Sequence, residues 1–123
     1  MRILLDTHVL LWWLANDPSL TEEHRRIIQD KRNSCYVSAA TVWEISIKSG
    51  IGKLEVAAEY LEVVRSQGFL ELPVSWAHTK AVQQLPEHHR DPFDRLLVAQ
   101  ASTEGMALLS VDPFIKKYEV TVL

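Results

Sequence analysis

Residues 2–16 read "RILLDTHVLLWWLAN", and the change of rhythm inside this stretch decides the fold. Arg2–Leu5 is a short apolar run that stops at Asp6, a turn-capable residue, as a buried strand does. From Thr7 the period lengthens. Val9, Leu10, Trp13 and Leu14 share one helical face, and Asn16–Asp17–Pro18 ends it. The chain therefore opens with a strand that runs directly into a helix, with one carboxylate at the junction.

The same alternation continues to the end. "SLTEEHRRIIQDKR" predicts a helix with Glu22 and Glu23 in its first turn and Lys31 and Arg32 in its last, which suits the helix dipole. "CYVS" predicts a strand, and Ser38 caps the following "AATVWEISIKSG". "VAAEYLEVVRSQG" predicts an amphipathic helix with Val56, Tyr60, Val63 and Val64 facing inward. "FLELPV" is a third strand, and Ser75 starts the helix "WAHTKAVQQL". "DPFDRLLVAQASTEG" carries Asp91 at the N-cap, Pro92 at the first helical position and Gly105 at the exit. "MALLSV" is a strand, Asp112–Pro113 starts a short helix, and "EVTVL" is a last strand. Strands alternating with helices point to an α/β fold, with a mostly parallel sheet covered on both faces. Ligands of such sheets bind beyond the carboxyl ends of the strands.

Composition narrows the class. The chain has 123 residues, which predicts one domain, 1–123. Its 47% hydrophobic and 24% charged residues are an ordinary globular mix. A formal net charge of −3 does not mark a nucleic-acid binder, so any polyanion must be held by a local patch or a metal ion. The single cysteine excludes an internal disulfide and fits a reducing compartment. "VLLWWLA" has the length of a signal-peptide core, but Asp6 and His8 sit where the preceding region should be positive, and Asn16–Asp17–Pro18 is a poor cleavage site. The expectation is a soluble cytoplasmic protein without a membrane span.

Four acids sit where an α/β site would be. Asp6 and Asp112 each follow a strand. Glu44 and Asp94 lie on helices beside apolar neighbours. Each taken alone has a structural reading: Asp6 and Asp112 as helix caps, and Glu44 as an i,i+4 partner of Lys48. Asp91 reads as the N-cap of its helix. If the sheet gathers Asp6, Glu44, Asp94 and Asp112 at one rim, their mutual repulsion and desolvation call for a divalent cation. The oxygen ligands suit Mg²⁺ or Mn²⁺. The histidines and the cysteine have no zinc spacing, and the adjacent His88–His89 read as surface residues.

"LLDTHVLLWWL", "SAATVWEISIKSGIGKL", "HHRDPFDRLLVAQA" and "LLSVD" occur in that order over nearly the whole chain. Together they resemble the PIN-domain ribonucleases, in particular the VapC-type toxins of toxin–antitoxin pairs. The resemblance implies a three-layer α/β/α sandwich with a mostly parallel four- to five-stranded sheet. It also implies a Mg²⁺-dependent endoribonuclease with Asp6, Glu44, Asp94 and Asp112 as catalytic acids. The family pattern D-x-x-apolar-x-A-x-A fits from Asp94 and not from Asp91, and a Ser two residues before the last acid matches Ser110. A VapB-type antitoxin and a homodimer are implied partners.

Asp6 and Asp94, short acids on fixed backbone, are the expected metal ligands. Thr7 and Ser110 would orient ligands or serve as ordinary caps. Lys48, Lys53, Arg90 and Arg95 are candidate phosphate contacts, or else solvated and ion-paired charges. Trp12, Trp13, Trp43 and Trp76 read as core or interface rather than as base-stacking platforms, and Trp12, Trp13, Ile47 and Ile51 as a protein-binding groove. A glycine-rich phosphate loop is absent after the first strand, and His8 stands where a haloacid-type phosphatase needs a second Asp. The remaining rival is a catalytically silent PIN-like binding module. The expected outcome is that Asp94→Asn removes Mg²⁺-dependent RNase activity, while Asp91→Asn keeps much of it and mainly lowers stability. Equal catalytic loss with unchanged melting temperatures would reject the division of labour between these two residues.

Overall fold

A computed structural model describes residues 1–123. Strands β1 (Arg2–Leu5), β2 (Ser34–Ser38), β3 (Leu70–Leu72) and β4 (Ala107–Leu109) form one parallel sheet in the order β3-β2-β1-β4. The chain builds outward from β1 to β3, then crosses back to place β4 on the other side of β1. That reversal lies between β1 and β4, and such a switch point opens a crevice at the carboxyl ends of the two strands. Leu5 stands in register with Leu109, so Asp6 and Ser110 leave the sheet side by side.

β1 is buried on both faces. Ile3, Leu4 and Leu5 are each fully inaccessible, and their alternating side chains feed two cores. Ile3 and Leu5 join Val9, Leu10, Cys35, Val37, Ile45 and Val64 on one side. Leu4 joins Leu97, Val98, Ala101, Leu108 and Ile115 on the other. The layers are therefore helix, sheet, helix, as the alternation of elements implies. Helix α1 (Thr7–Ala15), α2 (Glu22–Gln29) and α4 (Tyr60–Ser66) contribute to the first core, with α3 (Ala39–Gly50). Helix α6 (Pro92–Glu104) dominates the second, with α5 (Trp76–Ala81) packed against it.

The helix starts follow their capping chemistry. Asp6 Oδ1 accepts from the Val9 amide at 2.8 Å, and Ser38 Oγ accepts from the Ala40 amide at 3.0 Å. Asp91 Oδ1 accepts from both Phe93 N (2.8 Å) and Asp94 N (3.2 Å), with Pro92 as the first helical residue. Gly105 closes α6 at φ 64°.

Several boundaries differ from the sequence expectation. The segment 55–59 is not helical and α4 begins only at Tyr60, so Val56 packs on the core from a loop while Val63 is 40% exposed. Val120–Leu123 does not form a fifth strand. One parallel bridge, Leu108 to Val122, and the bonds Leu108 N to Thr121 O and Leu123 N to Leu108 O are all that pair it with β4. The turn after Asp112–Pro113 is a single 3₁₀ turn at Ile115–Lys117. Short runs at the sheet edge have too few ladder partners to extend further.

Arg95 organises the loop before α6. Its guanidinium donates to the carbonyls of Pro86 (3.0 Å), His89 (3.4 Å), Val82 (3.2 Å) and Leu85 (3.4 Å), and to Tyr118 Oη (3.3 Å). A guanidinium satisfied by carbonyls is unavailable to phosphate, so the expectation of Arg95 as an RNA contact is corrected: it is a clamp on residues 82–89. Arg95→Ala should destabilise the fold by about 1–3 kcal/mol, since it strands several loop carbonyls. Chemical denaturation measures this, and an unchanged midpoint would reject the clamp.

Candidate active site

The carboxyl ends of β1 and β4, the middle of α3 and the start of α6 bring the four acids together. Asp6 is 3% exposed at the end of β1. One of its oxygens caps α1, so the capping role and a place in the site are held by the same carboxylate. Burial raises its pKa above the ordinary value, and the Asp112 charge adds to this. The Ser110 hydroxyl, the Val9 amide and His8 oppose it. Ser110 is fully buried and its Oγ accepts from the Asp112 amide at 3.1 Å. It thus stands beside both acids that follow strands, bonded to the backbone of one.

Glu44 is 4% exposed on α3. Thr7 Oγ1 donates to its Oε1 at 2.8 Å, and Lys48 Nζ lies 2.6 Å from its Oε2. Both sequence readings of Glu44 therefore meet in one residue: it pairs with Lys48 and it faces the cleft. Lys48 is held above its usual pKa by that hydrogen bond with Glu44, with further support from the charges of Asp91 and Asp94.

Asp94 and Asp112 are the same residue type with opposite shifts. Burial pushes Asp94 up to about 7, aided by the charges of Asp91, Asp6 and Glu44 against a smaller opposing effect of His89. Burial also works against ionised Asp112. There the hydrogen bond from His89 and the amides of Phe114 and Ile115 prevail, and its pKa lies below the ordinary value. Asp112 Oδ1 accepts from Phe114 N at 2.8 Å and its Oδ2 meets His89 Nε2 at 2.8 Å.

His89 is the residue the sequence reading misplaced. It is not a surface histidine: its Nε2 stands 2.8 Å from Asp112 Oδ2 and 3.1 Å from Asp94 Oδ2, inside the acid cluster. A histidine two residues before an N-cap Asp carries no spacing signal, and only the tertiary fold brings it to Asp112, 23 residues further along the chain. His88 turns away to stack edge-on against Tyr118 at 5.0 Å.

The donor set fits a divalent cation. Carboxylate oxygens are hard ligands, and Asp94 is destabilised by neighbours of its own sign that a cation would neutralise. Lys53 and Arg90 are both exposed. Trp43 is exposed and packs edge-on against Phe93 at 5.1 Å, whereas Trp76 is 93% exposed and belongs to no core. Trp13 packs on Phe69 and donates to Gln67 Oε1 at 2.6 Å.

Beside the acids runs a cavity of about 580 Å³, walled by Leu11, Trp12, Leu14, Leu54, Val56 and Tyr60 and reaching Glu44 and Lys48 at one end. The expected groove of Trp12, Trp13, Ile47 and Ile51 is thus split. Trp12 lines the cavity. Ile47 and Ile51 stand with Trp43 as an exposed stripe at i, i+4 and i+8 on α3 and the turn after it.

A PIN-domain family model matches residues 3–120. The chain belongs to the PIN-domain family. Within that family it is 46% identical over 61 residues to "Ribonuclease VapC16" of Mycobacterium tuberculosis, a match covering 46% of this chain and 43% of that protein. The matched stretch is thus less than half the length of the curated relative. The PIN fold is shared with VapBC2 from Rickettsia felis, solved bound to a DNA fragment from its promoter (TM-score 0.75, 14% identity, 100% of this chain and 98% of that one). It is shared equally with DNA-bound VapBC from Salmonella typhimurium (TM-score 0.72, 15% identity, 100% and 97%) and FitAcB from Neisseria gonorrhoeae (TM-score 0.66, 20% identity, 98% and 96%).

The Asp94 shift has a measurable consequence. Between its ordinary value of 3.8 and about 7 the folded protein holds a proton that the unfolded chain has released. Metal-free stability must therefore fall as pH rises through that window, and Asp6 acts in the same direction. The depressed Asp112 contributes stability that is lost only as pH falls below its ordinary value. In chelator at about pH 8, Asp94→Asn should melt roughly 2–6 °C above the wild type. Mg²⁺ should raise the wild-type melting temperature and leave the variant's unchanged. A variant that melts lower in chelator would show that Asp94 is not an unrelieved charge.

Proposed function

We propose that this chain is a metal-dependent endoribonuclease, the toxin of a toxin–antitoxin pair, with one PIN domain over residues 1–123 and Mg²⁺ or Mn²⁺ as its cation. The observation that carries the reading is the gathering of Asp6, Glu44, Asp94 and Asp112 at the switch point between β1 and β4, with Asp94 left destabilised by its neighbours. A structural acid would be neutralised, as Asp30 is by Arg32 at 2.8 Å. The ribonuclease name of the mycobacterial relative and the toxin–antitoxin complexes that share the fold support the same reading.

Asp6 and Asp94 would hold the cation, with Glu44 and Asp112 completing the cleft. Bound there, a divalent ion supplies positive charge to a phosphodiester oxygen and lowers the pKa of an attacking water. The chain's own residues do the positioning. Thr7 holds Glu44 by a hydrogen bond, and the Ser110 hydroxyl favours the ionised form of Asp6. Lys53 and Arg90, exposed and close in sequence to site acids, are the proposed phosphate contacts for RNA. Lys48 is engaged by Glu44, so its phosphate role requires exchange of that ion pair.

The apolar cavity that ends on Glu44 and Lys48 is the proposed seat of a VapB-type antitoxin segment, which from there would cover the acids. The exposed stripe Trp43, Ile47 and Ile51 is the proposed surface for a homodimer. No helix is long and apolar enough to cross a membrane, and the proposed site of action is the cytoplasm, where RNA is available.

Purified protein incubated with total cellular RNA should cut at discrete positions with Mg²⁺ and not in chelator. Asp6→Asn and Asp94→Asn should each lose at least the roughly 10–100-fold that removal of an outer partner of a metal site costs. Expression without a partner should slow growth, and Asp6→Asn should relieve it. Toxicity that persists in this variant would reject nuclease action.

A further inference from the structure

His89 Nε2, Asp94 and Asp112 offer ligand atoms all within 4.8 Å of one another, which looks like a mixed nitrogen–oxygen metal site. The hydrogen bonds around the ring say otherwise. The Asp91 backbone amide donates to His89 Nδ1 at 3.0 Å. That bond uses the lone pair on Nδ1, so the ring proton resides on Nε2. Nε2–H then donates to Asp112 Oδ2 at 2.8 Å, with Asp94 Oδ2 standing 3.1 Å from the same nitrogen. The opposite tautomer would set N–H against N–H at one end of the ring and a lone pair against two carboxylates at the other. The ring has no freedom to turn: its own amide donates to Tyr118 Oη at 3.0 Å, its carbonyl accepts from Arg95, and Phe114 lies edge-on at 5.5 Å.

We infer that His89 is a positioning residue, not a metal ligand: held as the Nε2–H tautomer by the Asp91 amide, it donates to Asp112 and sets that carboxylate beside Asp94. The inference rests on the reading of the acid cleft as a cation site. Asp112 keeps further lone pairs for a cation after accepting from His89, and Asp94 offers both of its oxygens. The ligand set stays all-oxygen, which favours a hard ion. Asp91 thereby has two jobs through different atoms. Its carboxylate caps α6, and its amide determines which nitrogen of His89 carries the proton.

The tautomer is read in the unmutated, metal-free full chain by two-bond ¹H–¹⁵N correlation on protein labelled at histidine. The expected spectrum shows His89 protonated at Nε2 and bare at Nδ1, unchanged on adding Mg²⁺. Protonation at Nδ1 alone, or a Mg²⁺-induced shift to that form, overturns the inference. Calorimetric titration with Mg²⁺ supplies the second arm. His89→Ala should bind about 10-fold more weakly or worse, whereas His89→Gln, whose amide can place a donor near the Nε2 position, should stay within roughly threefold of the wild type. Wild-type affinity in His89→Ala, or His89→Gln as weak as His89→Ala, overturns it. A wild type that binds no Mg²⁺ would sink the cofactor reading instead, and the tautomer spectrum would then decide the position of His89 alone.

Discussion

Pairing of β1 on both of its edges, with both of its faces buried, is the constraint on which the rest depends. Ile3, Leu4 and Leu5 are fully inaccessible, and each is in register with both β2 and β4 or, for Leu5, with β4. A strand so held has no freedom to slip, because a one-residue shift would exchange the two cores. Asp6 is therefore delivered to one place with atomic definition, and Ser110 is delivered beside it by the neighbouring strand. The site is precise because it begins where the most constrained backbone ends.

The fold gathers negative charge there without neutralising all of it. Glu44 has Lys48 and Thr7, and Asp112 has His89 and the Phe114 amide. Asp94 is buried among the charges of Asp91, Asp6 and Glu44, which outweigh the nearby His89. Such frustration is tolerated when the surrounding structure is over-determined, and here α6 supplies that rigidity: Leu97, Val98 and Ala101 are buried in the second core one turn beyond the acid. Stability given up in the metal-free protein is what a bound cation would return.

The loop before α6 shows how one short stretch can serve several ends. Residues 88–95 carry a clamp, a cap, a ring donor and an acid. Pro92 settles where the helix starts, which separates Asp91 from Asp94. Arg95 reaches back to hold the loop by its carbonyls, and the loop so held carries His89 over the end of β4. A basic residue next to a site acid suggests a substrate contact by sequence proximity. Its stem instead leads it away from the cleft, one position round the helix from Asp94.

The sequence by itself determined the layer order, the parallel sheet and the helix caps. These rest on local physics: hydrophobic period, capping chemistry and the proline–glycine asymmetry of helix ends. Asp6, Glu44, Asp94 and Asp112 stood out as candidate acids through their places after strands and the family resemblance. Short edge elements were less legible. The last strand became a single bridge, and α4 began late, because their extent depends on ladder partners and packing rather than on propensity. Only the tertiary structure decided the pairing of charges. Whether Arg95 meets carbonyls or phosphate, and whether His89 faces water or two carboxylates, depends on distances between residues far apart in sequence. Charged groups interact through space in a medium whose screening is set by burial, and no pattern along the chain encodes that.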